Sequence, residues 1–291
     1  MTAAWFELAH IWYYVVHRRF PATSSSGVHV SHVSPDQPAS QPFTPAPLGV
    51  QLYSVRDDIG PGQVEATLGR LAGMGFTHVE PYRILDDTER LGAAIRAAGL
   101  AAVAAHANVT TAERDAYFAA ARQLGLSTLI VPWAEPQRLA NRDGIETLAA
   151  AVSDAATRAA DHGLTIGYHN HDFEFSQHVG GVPAYQILAD ALDDRVVLEV
   201  DTHWASVGGA DLFELLPRLG SRVHFLHVTN EPADDDDPPV RGVDITGRMD
   251  EVVALGRKIG AMTVLEVVVH DGDSFEALAR NAAFFLPQVR A

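Results

Sequence analysis

Short apolar runs alternate with longer amphipathic segments from residue 48 to the end of the chain. The runs are mostly apolar rather than alternating in polarity, which is typical of parallel strands covered by helices. They are LGVQLY (48–53), THVE (77–80), LAAVAAH (100–106), STLIVP (127–132), LTIGYHN (164–170), RVVLEVD (195–201), RVHFLHV (222–228) and MTVLEVV (262–268). Successive runs are separated by roughly 30 residues on average, the length of one βα unit. Eight such units predict an α/β fold, a (β/α)₈ TIM barrel over residues 48–291.

An open doubly wound sheet is the structural alternative. That fold would place a glycine-rich phosphate loop after its first strand, and the sequence there is QLYSVRDDIG. Helix signals support the βα repeat: a pattern similar to a capping box at 143–146 predicts a helix start, and Gly163 predicts its end. Another helix is predicted from 273–276 through to Pro287.

The first 47 residues differ from the rest of the chain. The apolar stretch WFELAHIWYYVV (5–16) precedes His17-Arg18-Arg19, whereas a secretory signal places its positive charge first. Residues 22–47 contain six Ser and five Pro and almost no aliphatic side chains. Such a composition buries too little surface to offset chain entropy. We therefore predict a single barrel domain preceded by a disordered leader over residues 1–47.

Polar side chains end almost every predicted strand, where the catalytic groups of a TIM barrel lie. These are Gln51, Glu80, His106, His169 with His171, Asp201, His227 and Glu266. Any one of them could be a hydrogen-bonded structural residue, but a closed barrel directs them all to one mouth. Because side chains alternate along a strand, His169 and His171 share a face, as do Glu199, Asp201 and His203. Carboxylates and imidazoles gathered in one pocket favour a divalent cation that neutralises them, held by mixed nitrogen and oxygen ligands.

Composition narrows the classes of partner. The chain has 37 acidic and 21 basic residues, a formal net charge of −16, which argues against nucleic acid and anionic membranes. No apolar run reaches the roughly 18 to 20 residues that span a bilayer. The absence of cysteine excludes disulfides and thiolate metal sites, and is compatible with the cytoplasmic location that we predict. We expect a small-molecule partner, and a homo-oligomer remains compatible with the sequence.

Five segments carry a resemblance to a known family: GVQLYSVRD, GYHNHDFEF, LEVDTHWASVGGAD, FLHVTNE and TVLEVVVHDGD. They resemble the sugar phosphate isomerase/epimerase family, xylose isomerase-like TIM barrels that include inosose dehydratases and, more distantly, family-2 apurinic endonucleases. The resemblance covers residue 48 to the C-terminus and excludes the leader.

The resemblance implies one divalent metal ion, Mn, Co, Mg or Zn. Epimerases of the family bind it through Glu, Asp, His and Glu from strands five to eight. The last three correspond to Asp201, His227 and Glu266, whereas the first Glu corresponds to His169, a departure from the epimerase pattern. The YHNH stretch is similar to the YHHH of inosose dehydratases, and His171 or Glu174 would then supply the second acid/base group.

The implied function is a sugar or keto-sugar isomerase or epimerase, on a substrate with or without phosphate, that acts through an enediolate. Glu266 and His171 are the predicted acid/base groups. Substrate contacts are predicted for Gln51, Glu80, His106, Glu174 and Trp204. A dehydratase or lyase on a keto-polyol such as an inosose is the alternative, followed by a carbohydrate-binding barrel without turnover. A DNA-repair endonuclease is disfavoured by the net charge and by the acidic run at 234–237.

Overall fold

The computed structural model describes residues 48–60, 62–230, 241–242, 245, 247–267 and 273–290. The predicted leader, the acidic run at 234–237 and the last residue of the predicted eighth strand lie outside the described residues.

A parallel sheet curved into a barrel is the centre of the fold. Its strands are β1 Gly49–Gln51, β2 His78–Glu80, β3 Ala101–Ala102, β4 Ala105–His106, β5 Thr128–Val131, β6 Thr165–His169, β9 Val197–Asp201, β10 Val223–Val228 and β11 Met262–Leu265. They are ordered β3-β2-β1-β11-β10-β9-β6-β5-β4, so the first and last segments of the sheet are neighbours in sequence. This arrangement confirms the predicted TIM barrel.

The prediction of one continuous third strand is wrong. Residues 100–106 form two short segments, of which β3 pairs with β2 and β4 pairs with β5. Just after β3, the Val103 N–H still donates to the Val79 carbonyl at 3.1 Å, whereas just after β4 the Ala107 N–H donates to the Ile130 carbonyl at 2.8 Å. The barrel closes across this split.

Helices follow the strands around the outside. They are α1 Val64–Gly73, α2 Thr88–Ala97, α3 Arg114–Leu124, α4 Arg142–Ala160, α5 Phe173–Ser176, α6 Ala184–Ala191, α7 Thr202–Gly208, α8 Leu212–Leu219, α9 Met249–Ile259 and α10 Ser274–Arg290. Short 3-10 helices occupy Leu52–Asp58, Pro136–Leu139 and Gly220–Arg222. No helix in the described ranges is long and apolar enough to cross a membrane.

The two predicted helix starts have different outcomes. Helix α4 is capped by Asn141, whose side chain accepts the Gly144 N–H, so the predicted start at 143 lies inside the first turn. Gly163, with φ of 69°, lies just beyond the end of α4. Helix α10 begins as predicted, since Asp273 accepts the Phe275 N–H at 2.8 Å. It continues past Pro287.

The loop after β6 carries the short helix α5 and a small hairpin of β7 His178–Val179 with β8 Val182–Pro183. Gly180 and Gly181 join the two strands with φ of 62° and 84°, a backbone region that glycine adopts readily. The hairpin leads directly into helix α6, whose first N–H, from Ala184, donates to the Gln177 carbonyl at 2.9 Å.

The barrel interior changes from apolar to polar toward the carboxyl ends of the strands. An apolar plug packs together below, formed by Ala104, Ile130, Phe225, Met262 and Val264. Two residues farther along β10, His227 follows Phe225 on the same face, and the sheet register sets it beside Asp201. Gly167 lets β6 approach the plug, because a Cβ there would lie 2.4 Å from Ile130 Cδ1. The polar side chains therefore rest on a packed apolar floor.

Candidate active site

Four side chains predicted as metal ligands come together at the carboxyl ends of successive barrel strands. His169 ends β6, Asp201 ends β9, His227 lies near the end of β10 and Glu266 follows β11. One ligand atom from each lies within 4.8 Å of the others. Three of the residues are buried, and the Glu266 side chain is 14% exposed. We call these four residues the outer group.

Asp201 is oriented by the helix that follows it. Its Oδ1 accepts the Trp204 N–H at 2.8 Å and so caps α7. The Asn170 side chain bridges to the same backbone, accepting the Asp201 N–H at 3.1 Å and donating to the Asp201 carbonyl at 3.2 Å. One carboxylate oxygen of Asp201 is therefore engaged as a cap, which leaves the other for a ligand.

Side chains also join neighbouring strand ends where the sheet ladder stops. Thr202 Oγ1 donates to the His227 carbonyl at 2.9 Å, and the Glu266 N–H donates to the Val228 carbonyl at 3.1 Å. Ser54 Oγ accepts the Val267 N–H at 3.0 Å and links the last strand to the segment after the first. These bonds hold the outer group on a rigid rim.

A second layer of charged side chains lies beneath the outer group. Glu199 Oε1 lies 2.8 Å from His106 Nε2, 3.0 Å from His169 Nδ1 and 3.2 Å from His227 Nε2. Glu80 Oε2 lies 2.8 Å from the same His227 nitrogen. Glu80, His106 and Glu199 are called the inner group below. The alternation of side chains along the strand predicts that Glu199 shares a face with Asp201, but it does not predict a role for Glu199 in the site.

Positive and negative charges are tightly balanced in the inner group. Burial alone would raise the pKa of Glu199, but the charge of His227 and the hydrogen bonds from His106 and His169 hold it well below its usual range. Burial raises the pKa of Glu80 to about 7, and the charge of Glu199 adds to the effect. Glu199 is thus the ionised member of this carboxylate pair at neutral pH.

In the outer group, too, one carboxylate has a lowered pKa and the other a raised pKa. Burial would raise the pKa of Glu266, but the hydrogen bond from His227 Nδ1 at 2.8 Å and the charge of that ring outweigh it, and the pKa lies at about 2. Burial and the charge of Glu266 raise the pKa of Asp201 to about 7. Burial would lower the pKa of His227, but Glu199 and Glu80 raise it well above its usual value.

The residues present fit a divalent cation. Two imidazoles and two carboxylates form the mixed nitrogen and oxygen donor set that Mn, Co, Zn and similar ions accept. Among the described residues, no Lys or Arg forms an ion pair with the outer or inner group. Two buried carboxylate oxygens, Glu80 Oε1 and Glu199 Oε2, also have no hydrogen-bond partner within the described ranges. A bound cation would favour the ionised form of the four carboxylates gathered here.

The predicted substrate contacts lie in different surroundings. Gln51 is buried, its Oε1 accepts the Tyr53 N–H at 3.1 Å, and its Nε2 has no partner among the described residues. Trp204 is half-buried beside His171, with ring centroids 6.5 Å apart. Glu80 and His106 belong to the inner group, below the outer one.

Glu174 is fully buried behind the loop that follows β6. Its two oxygens accept the Tyr168 hydroxyl at 2.8 Å and the His171 N–H at 2.9 Å. The His171 ring lies 5.0 Å from the His169 ring and stacks on Phe173 at 5.4 Å. Burial and the charge of His169 lower the pKa of His171 well below its usual value. Glu174 therefore holds the backbone of a neutral imidazole next to the outer group.

Comparison with solved structures identifies proteins of the same fold. A sugar phosphate isomerase/epimerase from Parabacteroides distasonis aligns with a TM-score of 0.69 at 20% identity, covering 87% of this chain and 97% of that one. A family-2 AP endonuclease from Brucella melitensis aligns with a TM-score of 0.61 at 15% identity, covering 83% and 100%. A D-psicose 3-epimerase solved in the presence of D-fructose gives 0.61 at 12% identity, covering 84% and 100%.

Sequence comparison assigns the family. No curated protein matches the chain. The family model of the xylose isomerase-like TIM barrel matches residues 68–280, which is the greater part of the chain and includes both groups of the site. With the closed barrel and its polar mouth, this match shows that the chain belongs to the xylose isomerase-like TIM barrel family.

Proposed function

We propose that this protein is a metal-dependent sugar or keto-sugar isomerase or epimerase that acts through an enediolate. One observation carries the proposal: His169, Asp201, His227 and Glu266 offer ligand atoms within 4.8 Å of one another at the catalytic end of the barrel. The sugar epimerases among proteins of the same fold agree with this reaction class. When bound, a divalent ion supplies Lewis-acid stabilisation of negative charge on the substrate oxygens.

Glu266 is the proposed base. Its low pKa keeps it ionised at neutral pH, and its partial exposure lets a substrate reach it. It removes the proton from the carbon next to the substrate carbonyl, which gives the enediolate. His171 is the proposed partner, since its ring borders the outer group and its backbone is held by Glu174. Proton return to the neighbouring carbon gives an isomer, and return to the opposite face gives an epimer.

Substrate recognition is assigned to the side chains that border the outer group. Gln51 Nε2 is a buried donor without a partner among the described residues, which costs free energy, and we propose that a sugar oxygen accepts its hydrogen bond once substrate binding uncovers it. The half-buried Trp204 offers an apolar surface to the carbon face of the sugar. Glu80 contacts His227, His106 contacts Glu199, and Glu174 accepts the His171 N–H, so we propose that these three residues act on the substrate through their protein partners.

Four of the eight loops at the mouth favour an unphosphorylated substrate, whereas the loops after β1, β2, β5 and β10 carry Arg56, Arg83, Arg138 and Arg241. The loops after β4, β6, β9 and β11, residues 107–113, 170–183, 202–211 and 266–273, contain no Lys or Arg. A phosphate beside the outer group would lie near the carboxylates of Asp201 and Glu266, and these four loops offer no basic side chain to bind it.

A dehydratase or lyase on a keto-polyol is the second candidate. It is favoured by His169, which stands where the family epimerases have a glutamate, and by the adjoining Asn170 and His171 of the YHNH stretch. Its first step is the same proton removal by Glu266, and the β-hydroxyl then takes this proton from Glu266 as it leaves as water. Product analysis separates the two candidates, because only dehydration lowers the mass of the sugar by one water. A metal-bound barrel that turns over no member of a keto-sugar panel would support a binding protein instead.

The metal site is tested by a matched pair of substitutions. Asp201 and Asp211 each cap a helix through Oδ1, but only Asp201 belongs to the outer group. We expect the purified protein to contain a stoichiometric divalent ion, Asp201→Ala to lose it and Asp211→Ala to keep it, measured by elemental analysis. Full metal retention by both Asp201→Ala and His227→Ala would contradict the proposed site.

A further inference from the structure

The two histidines of the outer group each use one ring nitrogen toward the inner group. His227 Nε2 lies 2.8 Å from Glu80 Oε2, while its Nδ1 lies 2.8 Å from Glu266 Oε2 on the other side. His169 Nδ1 lies 3.0 Å from Glu199 Oε1. The nitrogen that faces the inner group, called the inner nitrogen, is therefore Nε2 in His227 and Nδ1 in His169. The outer nitrogens are Nδ1 of His227 and Nε2 of His169.

A neutral imidazole has one N–H and one lone pair, so a carboxylate that accepts the N–H decides which nitrogen can bind a metal. Histidine ligands commonly donate their second nitrogen to a carboxylate in this way, and the bond fixes both tautomer and ring orientation. Glu80 and Glu199 are both 0% exposed, so a substrate in the mouth does not compete for these bonds.

We propose that Glu199 and Glu80 are positioning residues that direct His169 Nε2 and His227 Nδ1 to the metal. The inference rests on the proposed function, because it assigns a role toward the ion of the outer group. Each buried carboxylate thereby has a role toward the metal. The sequence alone predicts a sugar contact for Glu80 and no role for Glu199.

A second ion within the inner group is the competing arrangement. His106, His169, Glu199 and His227 also offer atoms within 4.8 Å of one another. Such an ion would need the inner nitrogens as ligands, and a nitrogen that binds a metal cannot at the same time donate an N–H to Glu199 or Glu80. Three ring nitrogens lie 2.8–3.2 Å from the single atom Glu199 Oε1, the distances expected if each donates an N–H to it. The tautomers of the histidines therefore separate the two arrangements.

The test is nitrogen NMR of the full chain, labelled with ¹⁵N-histidine and loaded with zinc. We expect opposite tautomers, His169 protonated at Nδ1 and His227 protonated at Nε2, assigned through the signals lost in His169→Gln and His227→Gln. Zinc affinity is measured alongside by competition with a chromophoric chelator. Glu199→Ala should weaken zinc binding about 10- to 100-fold and remove the tautomer preference of His169. Glu199→Gln keeps an acceptor oxygen and should restore the tautomer and most of the affinity.

A control and the contradicting outcomes complete the test. Glu214→Ala, at an exposed position of α8, should leave zinc affinity unchanged. Wild-type affinity in Glu199→Ala would overturn the positioning role while leaving the outer metal site intact. His227 protonated at Nδ1 would overturn that role as well, and would put the ion on the inner nitrogen Nε2. Two zinc ions per chain, one of them lost in Glu199→Ala, would make Glu199 a ligand instead. A wild-type protein that binds no zinc or other divalent ion would refute the proposed function itself. If Glu199→Ala does not fold, the wild-type tautomers alone decide.

Discussion

Glu266 is ionised at neutral pH and partly exposed, so it can accept a proton and a substrate can reach it. Replacing it by Gln keeps the size and one oxygen but removes the proton acceptor. We expect Glu266→Gln to lower kcat by about 10²-fold or more with a much smaller change in KM, the pattern of a lost general base. Steady-state kinetics on the best keto-sugar of a panel measure this. Glu276→Gln, in the exposed first turn of α10, is the control and should retain activity. Near-normal turnover of Glu266→Gln would reject the assigned base.

Substitution of two histidines in the loop after β6 tests which residue is the acid/base partner of Glu266. His171 borders the outer group, whereas His178 is exposed at the start of the small hairpin. His171→Ala should lower kcat to a similar extent as Glu266→Gln, and His178→Ala should change it little. Equal activity of the two variants would remove His171 from the mechanism.

At the scale of single elements, β6 depends on a glycine for its fit against the apolar plug. Ala at position 167 would bring a Cβ within 2.4 Å of Ile130 Cδ1 and within 3.1 Å of Val197 Cγ2. We expect Gly167→Ala to lower the free energy of unfolding by about 1–3 kcal/mol, as overpacking of a core does. Denaturant titration measures the change. Gly69→Ala is the matched control, because nothing lies within 4 Å of its new Cβ in the exposed part of α1, and alanine is the better helix former. Equal stability of both variants would mean that the plug is loosely packed.

The elements also show what the sequence could predict and what it could not. Hydrophobic runs at βα spacing predict the barrel because burial of each strand is a local property of its residues. The split between β3 and β4 depends on which neighbour each segment pairs with, and a continuous apolar run such as LAAVAAH contains no sign of it. Likewise the strand ends indicated the outer group. Glu199 lies one layer deeper, and its role depends on contacts with His106 and His227 across the barrel, which sequence spacing does not contain.

The hydrogen bonds between neighbouring strand ends could not be predicted from the sequence for a similar reason. Asn170, Thr202 and Ser54 are common residue types at strand ends, and nothing in their local sequence says that each contacts the next strand. Asn170 had one available signal, its place in the YHNH stretch between two histidines assigned to the site.

At the scale of the whole molecule, the net charge of −16 and the carboxylates of the outer group both repel a negatively charged substrate. We expect a keto-sugar to be turned over with a kcat/KM about tenfold or more above that of its phosphate ester, because the negative field disfavours approach of the ester. The difference should narrow as salt is raised from about 0.01 to 0.15 M, where the Debye length falls from about 30 to 8 Å. Preference for the phosphate at both salt concentrations would contradict this reading of the site.

Removal of a proton from the carbon next to the carbonyl is the central claim, and the turnover of a keto-sugar deuterated at that carbon tests it most directly. The metal-loaded protein should turn the deuterated sugar over more slowly than the unlabelled one or release deuterium into water. Mass spectrometry of the product measures the deuterium. Asp201→Ala should show neither turnover nor deuterium release. Turnover at the unlabelled rate with the deuterium retained at its original carbon would contradict the enediolate route.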